Sequence, residues 1–209
     1  MIITHHGADF FKVTFGDMTL AVNPVSKDSK IKSSRFGADI ALISVNDLEH
    51  NGSDAVSRTD KAPFVISGPG EYEVSGIFIK GFLSKTKEGK LNTIYTVAME
   101  GMNLCFLGAF GEDALPVTAK EANESIDILF VPIGGEDALD AHMAEKIATQ
   151  FEPKIIIPAH FEGMGAAGAL KTFLKEAGSE DVKSVEKLTL KRKDVEAKQG
   201  EVVVLSSVA

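Results

Sequence analysis

Residues 126–160 read IDILFVPIGGEDALDAHMAEKIATQFEPKIIIPAH. The two apolar runs, 126–133 and 154–158, are short and nearly unbroken, the pattern of strands covered on both faces. Between them Leu139, Met143, Ile147 and Phe151 recur every four residues and make one stripe of a helix. Asp137 or Asp140 is placed to cap its start. Strand, helix and strand in this order make a βαβ unit, so this half of the chain is α/β. Downstream, 165–177 predicts a second helix with Leu170, Phe173 and Leu174 on one face and Gly178 at its end. Upstream, a helix is predicted at 116–123, opened by Pro116. Strand returns at 187–190 and 201–205.

The first half has a different rhythm. Segments 10–15, 19–22, 40–44, 64–67, 73–82, 93–99 and 104–107 are apolar, β-branched or alternating, and turn-forming pieces such as Gly16-Asp17 and Gly68-Pro-Gly70 separate them. In 73–82, Val74, Ile77 and Ile79 alternate with polar or small residues as in a half-buried antiparallel strand. A β-meander followed by β-α-β-α-β is satisfied by two sheets between helices. No linker, repeat or low-complexity tract interrupts the chain, so one domain over 1–209 is expected.

Composition narrows the function classes. The 209 residues carry 22 Lys plus Arg against 30 Asp plus Glu, a formal charge of −8, which repels phosphate backbones unless a local basic patch works against the global field. An apolar share of 44% with 25% charged residues is that of a globular chain and excludes disorder. A single cysteine excludes a disulfide framework and a Cys-built zinc site. The opening Met-Ile-Ile-Thr-His-His has no secretory character and no apolar run is long enough to span a bilayer, so a cytoplasmic protein without membrane association is expected.

Histidine is scarce, and two of the five stand after predicted strands: His50 ends the segment 41–50 that continues the strand 40–44, and His160 ends the segment 155–160 that continues the strand 154–158. Loops at the carboxyl ends of buried strands are where α/β folds place functional groups. Asp47 and Glu49 lie beside His50. Joined in space by His160, the cluster offers oxygen and nitrogen donors that suit zinc, manganese or iron. The alternative is a solvated turn capping a helix. His5 and His6 are neighbours whose side chains leave opposite faces of a strand, so they cannot both line one site, and one exposed imidazole is expected. His142 reads as a surface or packing residue and Cys105 as core. Gly68-Pro-Gly70 and Gly134-Gly135 match no nucleotide fingerprint. Two basic stretches, Lys27 to Arg35 and Lys85 to Lys90, are either solvated lysine or a rim that gathers anionic substrates or single-stranded RNA.

Several segments, in order along nearly the whole chain, resemble the metallo-β-lactamase superfamily, in particular its ascorbate-phosphate-lactonase-like branch of zinc-dependent hydrolases. They are Thr19 to Pro24, Ala38 to Ile43, Gly70-Glu-Tyr-Glu-Val74, Asn92-Thr-Ile-Tyr95, Leu104-Cys-Phe-Leu-Gly108, Ile128-Leu-Phe-Val-Pro-Ile-Gly-Gly135 and Pro153-Lys-Ile-Ile-Ile-Pro-Ala-His160. The resemblance implies a four-layer αβ/βα sandwich, two mixed sheets flanked by helices, with the site at one edge of the sheets.

It also implies a reduced metal site. The family's His-x-His-x-Asp-His loop matches Val45-Asn-Asp-Leu-Glu-His50; its third histidine falls near Ser84, Lys85 or Thr86; its bridging aspartate falls at Ala109; its last histidine is His160. The first metal position has lost nearly all its ligands and the second keeps Glu49, His50 and His160, with Asp47 as a further oxygen donor in place of an imidazole. At most one zinc or other divalent transition-metal ion is therefore expected. Asp47 or Glu49, whichever does not ligate, is the expected general base in hydrolysis of an ester, lactone, amide or phosphodiester of a small-molecule or anionic substrate. Two other functions stay open: a non-catalytic binding or scaffold protein on the same fold, and a nuclease-like or RNA-binding role through the lysine loops. An edge strand or apolar helix face would support a homo-oligomer.

Overall fold

The computed structural model of the chain describes residues 1–121 and 125–208. The first half contributes β1 (Ile2–His5), β2 (Phe11–Phe15), β3 (Met18–Val22), β4 (Ile40–Leu42), β5 (Phe64–Ile66), β6 (Gly70–Val74), β7 (Ile77–Lys85), β8 (Leu91–Met99) and β9 (Met102–Phe106). The second half contributes α1 (Val117–Glu121), β10 (Ile128–Pro132), α2 (Ala141–Phe151), β11 (Ile155–Ala159), α3 (Ala169–Glu176), β12 (Leu188–Thr189), α4 (Arg192–Glu196) and β13 (Glu201–Val202). Among the described residues the strands form two mixed sheets, β12-β1-β2-β3-β4-β5 and β13-β11-β10-β9-β8-β7-β6. In the second sheet β8 pairs antiparallel with β7 and β9, whereas β9, β10, β11 and β13 run parallel.

The unbroken apolar run of β10 follows from its place. Phe130 stacks on Phe106 of the neighbouring β9 at 4.2 Å and faces the other sheet, where it meets Phe11 edge-on at 4.9 Å. Leu129 and Val131 face the opposite way and join the cluster made by Ala144, Ile147, Ala148 and Phe151 of α2 and Phe173 of α3. Tyr95 spans the two sheets: its hydroxyl donates to the carbonyls of Ile43 at 2.9 Å and Ile66 at 3.2 Å. A buried phenol is tolerable only with such a partner.

The expected sandwich of two mixed sheets is present, and its least helical part is the outer face of the first sheet. It is covered by the loop that carries Val25, Ile31 and Phe36 and by a single 3-10 turn, Ser53–Val56. Ala8, Ala21, Ala38 and Ala41 make this face shallow, so Val25, Ile31 and Phe36 of the loop pack directly on it.

Some expected element bounds are corrected. Residues 73–82 are not one strand: β6 and β7 form a hairpin across Ser75-Gly76, both at positive φ (53° and 78°), the conformation of a tight mirror-image turn. Helix α1 occupies Val117–Glu121 of the predicted 116–123, and residues 122 and 123 lie outside the described residues. Helix α3 starts only after Gly168, at φ 82°. The tail folds as two short strands with α4 between them. No described helix is long and apolar enough to cross a membrane.

Candidate metal centre

Three loop ends meet where the two sheets open. The first follows β1. Its tight turn is closed by Phe10 N donating to Gly7 O at 2.9 Å and His6 N to Phe10 O at 2.8 Å, and it carries Asp9 inward. The second follows β4 and turns at Asp47, whose carbonyl accepts from Asn51 N at 2.9 Å, to bring His50 inside. The third follows β11 and ends at His160. The first and third are laced together, since His160 N donates to Ala8 O at 3.1 Å and Ala8 N to Glu162 O at 2.8 Å.

Backbone strain gathers at the same place. Among the described residues seven non-glycine residues have positive φ: Ser75 and Glu100 are hairpin turns and Glu152 ends α2, while Ala8 (54°), Asn23 (51°), Glu136 (53°) and His160 (58°) lie on the loops around this niche. Such conformations persist only where the surroundings over-determine them, and they concentrate at functional sites. Gly134 is required beside them, because a Cβ there would collide with the His160 carbonyl oxygen.

Both imidazoles are fully buried and lie nearly parallel, with centroids 5.7 Å apart and an interplanar angle of 19°. Nδ1 of His50 is 2.6 Å from Asp47 Oδ1, and Nε2 of His160 is 2.9 Å from Asp137 Oδ1. The opposite ring nitrogens, Nε2 of His50 and Nδ1 of His160, are buried and make no hydrogen bond among the described residues. Nε2 of His50 is 4.0 Å from Asp9 Oδ2, and one ligand atom from each of Asp9, His50 and His160 lies within 4.8 Å of the other two. Asp9 is itself buried and is oriented by Asn23 Nδ2, which donates to Oδ2 at 2.5 Å, while Asn23 Oδ1 accepts from Ser44 N at 2.9 Å.

Electrostatics mark these groups out. Burial raises the pKa of Asp9 above the usual carboxylate range, against the pull of His50, His160 and the Asn23 hydrogen bond. For His50 burial acts downward, but the Asp47 hydrogen bond and charge, aided by Asp9 and Asp137, prevail and its pKa rises. At Asp47 burial acts upward and is outweighed by His50, so the carboxyl titrates low. Asp137 is held low by its hydrogen bond from His160, with burial opposing.

The structure thus brings His50 and His160 together and sets Asp47 behind His50, outside the convergent group. Glu49 is half-buried, accepts from Ser29 Oγ at 3.2 Å, and lines a hollow of about 280 Å³ with Asp47, Glu88, Lys90, Glu136 and Asp137. Sequence reasoning passed over Asp9 and Asn23 and considered Asp137 only as a cap. The cap is Asp140, which accepts from Met143 N at 2.9 Å. The available signal was weak: Asp9 is a lone acid after Gly-Ala in a turn. The expectation of an exposed imidazole at the end of β1 is overturned. His5 stacks on Phe11, and His6 lies against Phe10 and Phe36 and is 2.6 Å from Ser34 Oγ, because the 25–36 loop folds over them. His142 is exposed, 3.4 Å from Glu176.

Positions equated by resemblance with the other metal's ligands have a different character. Val45 and Ala109 are buried and form a small apolar cluster with Ala138. Ser84 and Asn92 are tied to each other at 2.8 Å, and Asn92 also accepts from Ala109 N at 3.1 Å. Of the basic stretches, Lys90 reaches the hollow and pairs with Glu88 at 2.9 Å, whereas Lys30 and Lys32 line a separate hollow with Glu162.

A family profile described as "Beta-lactamase superfamily domain" matches residues 2–160. The chain belongs to the metallo-β-lactamase superfamily. Among solved structures it is similar to a protein from Thermotoga maritima assigned as a zinc-dependent hydrolase of that superfamily, with 27% identity, a TM-score of 0.77 and 99% of each chain covered. A protein from Parabacteroides distasonis assigned as a metal-dependent hydrolase shares the fold at 20% identity and a TM-score of 0.67, covering 99% of this chain and 93% of that one. The isothiocyanate hydrolase of Delia radicum gut bacteria also shares the fold, at 11% identity and a TM-score of 0.65, covering 91% of this chain and 100% of that one. No protein of curated function matches the sequence.

Proposed function

We propose that this protein is a metal-dependent hydrolase built around one ion, held by Asp9, His50 and His160. The observation that carries the reading is the convergence of two partnerless imidazole nitrogens and a carboxylate in a buried niche. Leaving such groups unpaired in a protein interior costs on the order of 1–3 kcal/mol each, more when charged, and a divalent cation removes that cost. Two imidazoles and one carboxylate are a donor set that zinc and iron both accept. Bound there, such an ion supplies Lewis acidity and lowers the pKa of water.

The chain's own residues do the rest. Asn23 orients Asp9, and the laced turns at Ala8 and His160 fix the distance between the ligands. Asp47 is occupied by His50, so Glu49 is the loop carboxylate left to exchange protons at the hollow, which lies across the rings from the Asp9 niche. The hollow is dominated by acids, with Lys90 already paired to Glu88, which supports a small neutral substrate, an ester, lactone or amide, over an anionic one or RNA.

A second reading also has an observation in its favour. Both imidazoles are fully buried and the neighbouring corner is apolar, as a non-catalytic protein with a closed, structural ion would have it. Elemental analysis of tag-free protein, followed by ester and lactone hydrolysis assays, separates the two. One equivalent of metal with turnover that fails in Asp9→Asn supports the hydrolase. One equivalent with no turnover supports the structural ion. Native protein free of metal overturns both.

A further inference from the structure

The two ligand histidines are each held from behind by a carboxylate, and the two do it through different ring atoms. Asp47 meets Nδ1 of His50 at 2.6 Å, whereas Asp137 meets Nε2 of His160 at 2.9 Å. We infer that Asp47 and Asp137 are positioning residues that hold His50 and His160 in opposite tautomers, so that Nε2 of one ring and Nδ1 of the other present lone pairs to the Asp9 side of the niche. The consequence for metal binding rests on the single-ion centre proposed above; the tautomers do not.

The chemistry is forced by the acceptor. An ionised carboxylate has no hydrogen to give, so the nitrogen facing it must carry the proton, and a neutral imidazole then keeps its lone pair on the other nitrogen. The rings are nearly parallel, with an interplanar angle of 19°, so their nitrogen-bearing edges lie in nearly parallel planes. One edge of each ring meets an aspartate that lines the acidic hollow, and the other edge meets the buried niche. The rings are therefore stacked head to tail, with Nδ1 of one and Nε2 of the other on the same side.

Neither aspartate is free to swing. Asp47 Oδ1 also accepts from Glu49 N at 3.1 Å, and its carbonyl accepts from Asn51 N at 2.9 Å, so side chain and main chain belong to one turn. The carbonyl of Asp137 accepts from Lys87 N at 2.7 Å, and its loop is closed by Ala138 N donating to Gly135 O at 2.9 Å. The two carboxylates come from loops far apart in sequence, and each serves one ring. Partners of this kind fix the tautomer and orientation of a ligating histidine, and their loss commonly lowers metal affinity about 10- to 100-fold.

Nitrogen NMR of histidine-labelled, chelator-treated protein tests this at a pH where both rings are neutral. Wild type is expected to show His50 protonated at Nδ1 and His160 at Nε2. Asp47→Ala is expected to release the tautomer of His50 alone and Asp137→Ala that of His160 alone. Both side chains are partly exposed, so the variants should fold, and a general loss of structure would not act ring by ring. Zinc affinity, read by competition with a chromogenic chelator, should fall about 10- to 100-fold in each variant. Identical tautomers in wild type, or tautomers that neither variant disturbs, would overturn the inference. Tight zinc binding with undisturbed tautomers overturns the positioning role and keeps the ion. Opposite tautomers without zinc affinity keep the positioning role and overturn the ion.

Discussion

The loop after β4 contains two opposite solutions to a buried pocket within six residues. At its start Val45 packs with Ala109 and Ala138 in a dry corner. At its end His50 shares a polar niche with Asp9 and His160. Both ends are almost completely buried, so depth does not separate them. They differ in whether the polar atoms are partnered. The apolar corner has removed its charges, and its Ala109 and Ala138 amides are tied to Asn92 Oδ1 and Gly135 O. The niche retains its charges and leaves two ring nitrogens without partners. A fold can thus close one half of an ancestral site and keep the other, and unsatisfied buried atoms show which half is kept.

The comparison breaks first at His160. His160→Ala is expected to abolish metal content and reduce hydrolysis at least about 100-fold, since it removes a ligand rather than a neighbour of one. Stoichiometric metal or full turnover in that variant would move the centre elsewhere. Ala109→Asp is the converse test. A carboxylate forced into the dry corner should destabilise the protein by about 3 kcal/mol in urea unfolding and add no second ion. A rise to two equivalents of metal would show that the corner is a latent site.

His6 supplies a buried histidine outside both regions. Burial, with Lys12 and His5 adding to it, pushes its pKa down to about 4 from the ordinary 6.5. The unfolded chain binds a proton that the folded one refuses, so stability is fully present above about pH 6.5 and is lost as pH falls towards about 4. The loss should reach about 2 kcal/mol, less than full conversion because solvent screens the Lys12 contribution. His6→Gln should flatten that slope in chelator-treated protein, and an unchanged slope would refute the assignment.

The smallest effect sharpens the contrast. Asp9→Asn keeps the shape but removes a buried charge whose pKa is already raised by burial. It should cost metal affinity while stabilising the metal-free protein by about 1 kcal/mol, read as a raised urea midpoint. Destabilisation of the metal-free variant would mean that Asp9 is held mainly by its hydrogen bond to Asn23.

The fold was legible where burial is symmetrical. Strands β10 and β11 are covered on both faces, so their sequences are unbroken apolar runs, and α2 carries its stripe because one side meets that sheet. Segment 73–82 was misread because Ser75-Gly76 keeps the alternating pattern while reversing the chain. The loop covering the first sheet was missed because small alanines, rather than a helical stripe, make that contact. At the site, His50 and His160 were legible as scarce residues placed just after strands. Asp9 was not, since nothing local distinguishes it from a solvated turn.

Periodicity, the scarcity of histidine and the order of the motifs therefore settled the architecture and named two of the three convergent groups from the chain alone. The roles of the carboxylates were decided only when the loops after β1, β4, β10 and β11 closed on one another. Asp9 moved inward, and Asp47 and Asp137 moved behind the rings. Local sequence encodes which face of an element is apolar, whereas a ligand set is a property of distances between remote segments. Those distances exist only once the sheets have packed and the turns at Ala8 and His160 have locked together.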